Sequence, residues 1–277
     1  MNIGIVGLGL IGGSIAKAYK KYSDAKVFGF DIDKQSLSYA KLSETIDETL
    51  TDDVLLECDL VFISLYPKEA IDFLKEKANL FKKDALVMDA CGVKQELCEL
   101  GFSLAKEHGF VFVGGHPMAG IQFSGIKFSD ADLFKGASMV VVPPAFDDIY
   151  LLDRIRSSLK PLNFGKYSLC TAQKHDKIIA YTSQLAHIVS NAYVKSEAAQ
   201  EHHGFSAGSY KDMTRVAILN EDMWTYLFMH NKENLSLEIS ELITSLTKYK
   251  EALDAGDEQL LYNLLKEGRE RKERADG

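Results

Sequence analysis

A short apolar run, Ile3 to Val6, breaks into Gly7-x-Gly9-x-x-Gly12 and passes at once into a helical pattern. A strand that turns so sharply into a helix needs glycine at the turn (Gly7). It also needs bare backbone where a phosphate approaches (Gly9), and a third glycine where the helix packs on the sheet (Gly12). The N–H groups at the helix start, through Leu10, Ile11 and Gly12, then face an anion with the positive end of the helix dipole behind them. A second β-like run, Lys26 to Phe30, ends in Asp31, 19 residues after Gly12. An acidic side chain there accepts hydrogen bonds from a ribose 2′-OH and repels a 2′-phosphate, so the expected cofactor is NAD and not NADP. Asp33 is the rival for that role, and a solvated turn aspartate is the plainer reading of either.

The rest of the composition narrows the class. With 277 residues, 46% hydrophobic and 26% charged, the chain suits one large or two modest globular domains. A net charge of −8 argues against nucleic acid or an anionic membrane as partner, since both require a basic face. Four separated cysteines (Cys58, Cys91, Cys98, Cys170) without a CxxC pair, and a strand that starts at residue 2, point to a reducing, cytoplasmic setting. The longest apolar stretch, around Leu60 to Leu65, is far shorter than the roughly 20 residues that span a bilayer.

Strand candidates Ile3–Val6, Val27–Phe30, Leu60–Leu65, Leu86–Asp89, Phe110–Val113 and Met139–Val142 alternate with amphipathic pieces. That alternation implies right-handed βαβ units and an α/β fold with a Rossmann-type doubly wound, mostly parallel sheet. Ligands of such sheets sit at the carboxyl ends of the strands. Ser64-Leu65-Tyr66-Pro67, Asp89-Ala90-Cys91-Gly92 and Gly114-Gly115-His116-Pro117 should therefore line one crevice with the glycine loop. From about Thr171 the pattern is helical almost to the end, which divides the chain into residues 1–165 and an all-helical domain over 166–277. One long helix is expected over 172–196, with Ile178, Thr182, Leu185, Val189 and Ala192 on its apolar face. Further helices are expected near 208–229, 231–254 and 257–273.

Chemistry has several candidates. His116 lies in Gly-Gly-His-Pro-Met-Ala-Gly, a segment read as a loop near a ligand, and imidazole is a base near neutrality; the alternative is a histidine that merely caps a turn. Asp176, Ala180, Ser183 and His187 form a second stripe on the 172–196 helix, which needs either water or a ligand. Arg215, flanked by apolar residues, suits a partly buried clamp that holds a carboxylate by two parallel hydrogen bonds. An ion pair with Asp212 or Glu221 is the structural alternative. No metal site is expected, because there is no HExxH and no paired cysteine motif, and adjacent His202 and His203 point opposite ways in regular structure. A serine nucleophile elbow, Gly-x-Ser-x-Gly, is also absent.

Together these pieces resemble the prephenate/arogenate dehydrogenase family over nearly the whole chain. The resemblance rests on Gly-Leu-Gly-Leu-Ile-Gly-Gly-Ser at 7–14, Asp-Ala-Cys-Gly-Val-Lys at 89–94, His-Pro-Met-Ala-Gly at 116–120 and Leu-Phe-x-Gly at 133–136. In the second half it rests on His175-Asp176, Ser183-Gln-Leu-Ala-His187 and Asp212-Met-Thr-Arg215. It implies that His116 is the catalytic histidine, that Arg215 clamps the ring carboxylate, and that Ser183 and His187 contact substrate. It also implies that Asp89 to Lys94 form the turn beside the nicotinamide. Cys91 stands where the family commonly has a serine that helps orient the histidine and the cofactor, Gln184 replaces a frequent histidine, and Ile121-Gln122 replaces a more polar pair.

The implied reaction is NAD-dependent oxidative decarboxylation of prephenate, or of arogenate, in tyrosine biosynthesis. A homodimer through the helical domain is the expected assembly. A β-hydroxyacid dehydrogenase would instead use a lysine in the long helix, and a non-catalytic NAD-sensing regulator would have no use for His116 and Arg215 together.

Overall fold

The computed structural model describes residues 1–121 and 123–276; Gln122, one of the departures just named, lies outside them. β1 (Asn2–Val6) leads through the glycine turn into α1 (Leu10–Tyr22), followed by β2 (Lys26–Phe30), α2 (Lys34–Leu42), β3 (Glu48–Thr49) and α3 (Asp52–Leu55). Then come β4 (Leu60–Ile63), α4 (Pro67–Lys77), β5 (Leu86–Asp89), α5 (Gln95–His108), β6 (Val111–Pro117), β7 (Ser138–Val142), α6 (Ile149–Ser158) and β8 (Lys166–Leu169). Among the described residues the strands form a single sheet in the order β3-β2-β1-β4-β5-β6-β7-β8. The first six are parallel, β7 is antiparallel to β6, and β8 is parallel to β7. The first six strands thus have the doubly wound order of dinucleotide-binding sheets, with the switch point between β1 and β4.

Alternate residues of the buried strands serve two cores. Ile3, Ile5, Leu60, Phe62, Leu86 and Met88 pack on one face of the sheet with α1. Val6, Val61, Ile63 and Val87 pack on the other with α4 and α5 residues such as Ile71, Leu74 and Leu97. Both faces of a parallel sheet are covered, which is why its strands read as continuous apolar runs.

The sequence reading needs correction at three points. β6 does not stop at Val113 but runs through Pro117, with His116 opposite Val140 on β7. The glycines that suggested a loop are there for packing: a Cβ on Gly114 would sit 2.5 Å from Cys98 Sγ, and one on Gly115 would sit 2.5 Å from the Asp89 carbonyl oxygen. β3, with two residues, is too short to carry a period. The helix expected over 172–196 is interrupted: α7 (Ala172–Ile179) passes through a π-helical stretch, Ala180–Leu185, into α8 (Ala186–Tyr193). Its buried side holds His175, Asp176, Ile179, Ala180, Gln184 and Leu185, whereas Ile178, placed on the apolar face, is 50% exposed.

The remaining helices are α9 (Gly208–Thr214), α10 (Glu221–Met229), α11 (Lys232–Ala255) and α12 (Glu258–Asp276). The helix expected over 208–229 is thus two, parted at 215–220. The helical half has a small core of its own, a cluster built on buried Ala180, Leu185 and Leu235.

Gly12 is the position where the nucleotide-binding turn is least tolerant, because a Cβ there would lie 1.8 Å from the Gly7 carbonyl oxygen. Gly12→Ala should destabilise the chain by about 1–3 kcal/mol or more, as overpacking does, and abolish dinucleotide binding. Urea unfolding with and without the dinucleotide measures both.

Candidate active site

The nucleotide end is built from backbone. Gly7 has φ +88°, a left-handed conformation that suits glycine, and a Cβ there would strike the Ser64 carbonyl oxygen at 2.5 Å. Gly9 has nothing within 4 Å of its Cβ direction, so the turn is open on the side from which a phosphate arrives. No side chain caps the start of α1, which leaves the N–H groups at Leu10, Ile11 and Gly12 available to an anion. The Ser64 hydroxyl, at the end of β4 against Gly12, is buried without a hydrogen-bond partner. These features fit a dinucleotide.

The two aspartates after β2 differ in their partners. Asp33 caps α2, accepting from the N–H groups of Gln35 at 3.2 Å and Ser36 at 2.9 Å and from the Ser36 hydroxyl at 2.7 Å. These bonds hold its carboxyl below the usual carboxylate range. Asp31 instead reaches the glycine turn, accepting from Leu8 N at 2.7 Å and from Asp33 N at 2.8 Å. Each Asp31 oxygen keeps acceptor capacity for a ribose hydroxyl.

Beside the nucleotide turn, the segment after β5 is locked by a buried ion pair. Lys94 and Asp89 are both fully buried and joined directly, Nζ to Oδ2. Asp89 also accepts from Cys91 N at 2.8 Å and from Gly115 N at 3.2 Å, which ties the segment to β6. The Cys91 thiol donates to the Leu65 carbonyl oxygen at 3.4 Å, and burial pushes its pKa well above the ordinary thiol value. Cys91 therefore stays a neutral thiol that braces the ends of β4 and β5, with its hydrogen bond directed to Leu65.

His116 is bonded elsewhere. Its Nδ1 lies 2.8 Å from Nε2 of His175, and Nδ1 of His175 lies 2.7 Å from Oδ1 of Asp176. Asp176 also accepts from Lys94 N at 2.8 Å and Gln95 N at 2.9 Å, so its carboxylate satisfies the open start of α5. Its carbonyl oxygen takes the Asn231 amide at 2.8 Å. Burial, with smaller contributions from His175 and Lys94, drives the His116 pKa well below 6.5, and His175 is lowered as well, chiefly by burial. A neutral imidazole whose Nε2 has no hydrogen-bond partner among the described residues thus stands at the end of β6, next to the Asp89–Lys94 segment. Neither solvent nor ligand explains the stripe position of Asp176: it is a buried strut. The roles of Asp89, Lys94 and His175 have no local sequence signal except the adjacency of His175 and Asp176.

On the helical side, Ser183 lies inside the π-helical stretch, a feature frequent at functional sites. His187 bonds the Ser183 carbonyl oxygen through Nδ1 at 2.8 Å and lies tilted against Trp224 with ring centroids 4.0 Å apart. Burial lowers the His187 pKa against the opposing bond to Ser183, and the charge of Arg215 adds a smaller push in the same direction as burial. Arg215 is exposed at the end of α9, a correction to the partly buried clamp. Neither Asp212 nor Glu221 pairs with it, because the helix ends there and the chain turns away toward α10. The next turn is held to α8 by the Asn191 amide, which donates to the Ala217 carbonyl oxygen at 3.1 Å. Gln184 faces the interior, donating to the Leu227 carbonyl oxygen at 3.4 Å and accepting from Asn231 at 2.8 Å. His202 and His203 do not point opposite ways: in an irregular turn their rings lie 4.4 Å apart, and His202 also stacks on Tyr210. Among the described residues no group of three histidine, cysteine or acidic side chains could hold a metal.

The chain is similar to known proteins over nearly its whole length. Residues 15–165 match the model of the prephenate dehydrogenase nucleotide-binding domain, and residues 171–267 match that of the prephenate dehydrogenase dimerization domain. Prephenate dehydrogenase of Bacillus subtilis is 29% identical over 276 residues, covering 95% of this chain and 72% of that protein. The crystal structure of prephenate dehydrogenase from A. aeolicus with hydroxyphenyl propionate and NAD+ superposes with a TM-score of 0.82 at 28% identity, covering 99% of this chain and 98% of that one. Synechocystis arogenate dehydrogenase superposes with a TM-score of 0.83 at 25% identity, covering 99% of this chain and all of that one (100%). With an open glycine turn and a histidine at the end of β6 beside the β5 segment, and with both family models matched, the chain belongs to the prephenate dehydrogenase family.

Proposed function

We propose that the chain catalyses NAD-dependent oxidative decarboxylation of prephenate to 4-hydroxyphenylpyruvate. The observation that carries this reading is His116: a neutral imidazole, half-buried at the end of β6, with one ring nitrogen bonded to His175 and the other unengaged. The glycine turn would hold the pyrophosphate of NAD+ and Asp31 its ribose, with Ser64 and Leu65 at the neighbouring strand end, and the bound cofactor would supply the hydride acceptor. His116 takes the proton of the ring hydroxyl as that carbon is oxidised. The ring carboxylate then leaves as CO2, its bonding electrons restore aromaticity, and the oxygen regains the proton from His116 as the phenol forms. No net proton is released. Arg215 holds the ring carboxylate, and Ser183 and His187 complete the substrate side. Arogenate, with an amino group in place of the keto oxygen, is a second reading, favoured by the likeness to the Synechocystis enzyme. Steady-state assays with both substrates separate the two.

The helical half supports a homodimer. Its own buried core is small, while Ile243, Leu246 and Leu253, on one side of α11, are each more than half exposed. Neighbouring apolar side chains so exposed suit a contact with another surface. The four cysteines are free, and among the described residues no helix is long and apolar enough to cross a membrane, which together fit a cytoplasmic enzyme.

Replacing His116 by Asn should lower kcat at least about a hundredfold with near-normal NAD+ binding; retained turnover removes His116 from the mechanism. Arg215→Ala should raise KM for prephenate by about tenfold to a hundredfold, the loss of a charge-assisted carboxylate contact, and an unchanged KM rejects the clamp. Sedimentation should give twice the chain mass, and a monomer contradicts the assembly.

A further inference from the structure

Two histidines and an aspartate lie in series behind the substrate side of His116, and their hydrogens can be placed by elimination. We propose that Asp176 and His175 are positioning residues that fix the tautomer of His116, so that its Nε2 is the basic atom. The inference rests on the reading of His116 as the base.

A carboxylate can only accept hydrogen bonds. Asp176 takes Lys94 N on Oδ1 and Gln95 N on Oδ2, and its remaining close neighbour is Nδ1 of His175, 2.7 Å from Oδ1. That ring nitrogen must therefore carry hydrogen. The opposite assignment sets a nitrogen lone pair against a carboxylate oxygen where neither has water, since His175 is 2% and Asp176 0% exposed. A neutral imidazole carries one N–H, so Nε2 of His175 is an acceptor. Its neighbour at 2.8 Å is Nδ1 of His116, which must then be the donor. The lone pair left on His116 is then at Nε2, the ring nitrogen not turned to His175.

Burial keeps His175 neutral, as its lowered pKa reflects, although Asp176 pulls the other way. The charged and titratable groups around the pair are Asp176 from α7 and Lys94 with Asp89 from the β5–α5 segment. When Nε2 accepts the hydroxyl proton, the new positive charge on His116 is linked through His175 to the Asp176 carboxylate, which compensates it without touching substrate. Without His175, the His116 ring is free to carry its hydrogen on Nε2, where it could donate to the hydroxyl but not accept from it. Asp176 also fixes where the series begins, because the same carboxylate closes the start of α5.

The direct test needs no substitution. In full-length protein with 15N-labelled histidine, the long-range proton–nitrogen spectrum should show the His116 ring, identified by its absence in His116→Asn, with hydrogen on Nδ1 and none on Nε2. The reverse tautomer overturns the proposal. In parallel, His175→Leu should lower kcat at least about tenfold, part of the roughly 10²–10⁴-fold that a positioned base contributes, with KM for prephenate little changed. His175→Gln, whose carbonyl oxygen can accept from Nδ1, should recover most of that loss. Wild-type kcat in His175→Leu, with His116→Asn inactive, overturns the series but keeps His116 as base. Full turnover in His116→Asn overturns the base assignment itself.

Discussion

The Asp176 carboxylate joins the two halves of the molecule. It is fully buried, and it takes two backbone N–H groups from the start of α5 and a histidine from its own helix, while its main-chain oxygen takes an amide from Asn231 at the start of α11. A buried carboxylate is tolerated only when it is so satisfied. An open helix start is likewise satisfied by an anion, since the first N–H groups have no partner within the helix and the dipole is positive there. Each requirement meets the other, and the result is that α7 cannot shift against the sheet without exposing both. The placement of His175 behind His116 follows from this junction.

Charge is arranged unevenly around that junction. The chain carries a net −8, yet beside His116 stand Lys94, whose charge opposes its protonation, and the neutral ring of His175. Lys94 can sit there because Asp89 neutralises it at direct contact, and Asp89 in turn is held by Cys91 N and Gly115 N. Removing one member of so buried a pair typically costs about 3–5 kcal/mol, because the other is left uncompensated. The outcome is a base that is weaker than free histidine but fully available at neutral pH. That suits a reaction in which the proton is borrowed from an oxygen and returned to it.

The nucleotide half was legible because its signals are local. The glycine spacing, the apolar strands and Asp31 all lie within single βα units, and their roles follow from backbone geometry. Asp33 differed from Asp31 only in being spent on a helix cap, which the sequence leaves open. His116 was found for a partly mistaken reason: Gly114 and Gly115 marked a strand pressed against Cys98 and the Asp89 carbonyl, where no loop exists. Asp176 was misplaced because amphipathic reasoning sends polar residues outward, and its partners at Lys94 and Gln95 lie 82 and 81 residues away. Arg215 was read as partly buried from its apolar neighbours, but α9 ends there and leaves the guanidinium exposed. Long-range polar networks carry no period, and so the interior of the helical half was the least legible part.

Neutrality of His116 is the claim on which the chemistry turns, and the pH dependence of kcat/KM for prephenate reports on it, since that ratio follows essential groups of the free enzyme. The active form is the neutral ring, and its pKa is lowered well below 6.5. Activity is therefore retained as pH falls through 6.5 and is lost only when pH passes through the lowered value. A profile that stays level from neutrality to below pH 6.5 is the predicted result; an acid limb centred at or above 6.5 contradicts it.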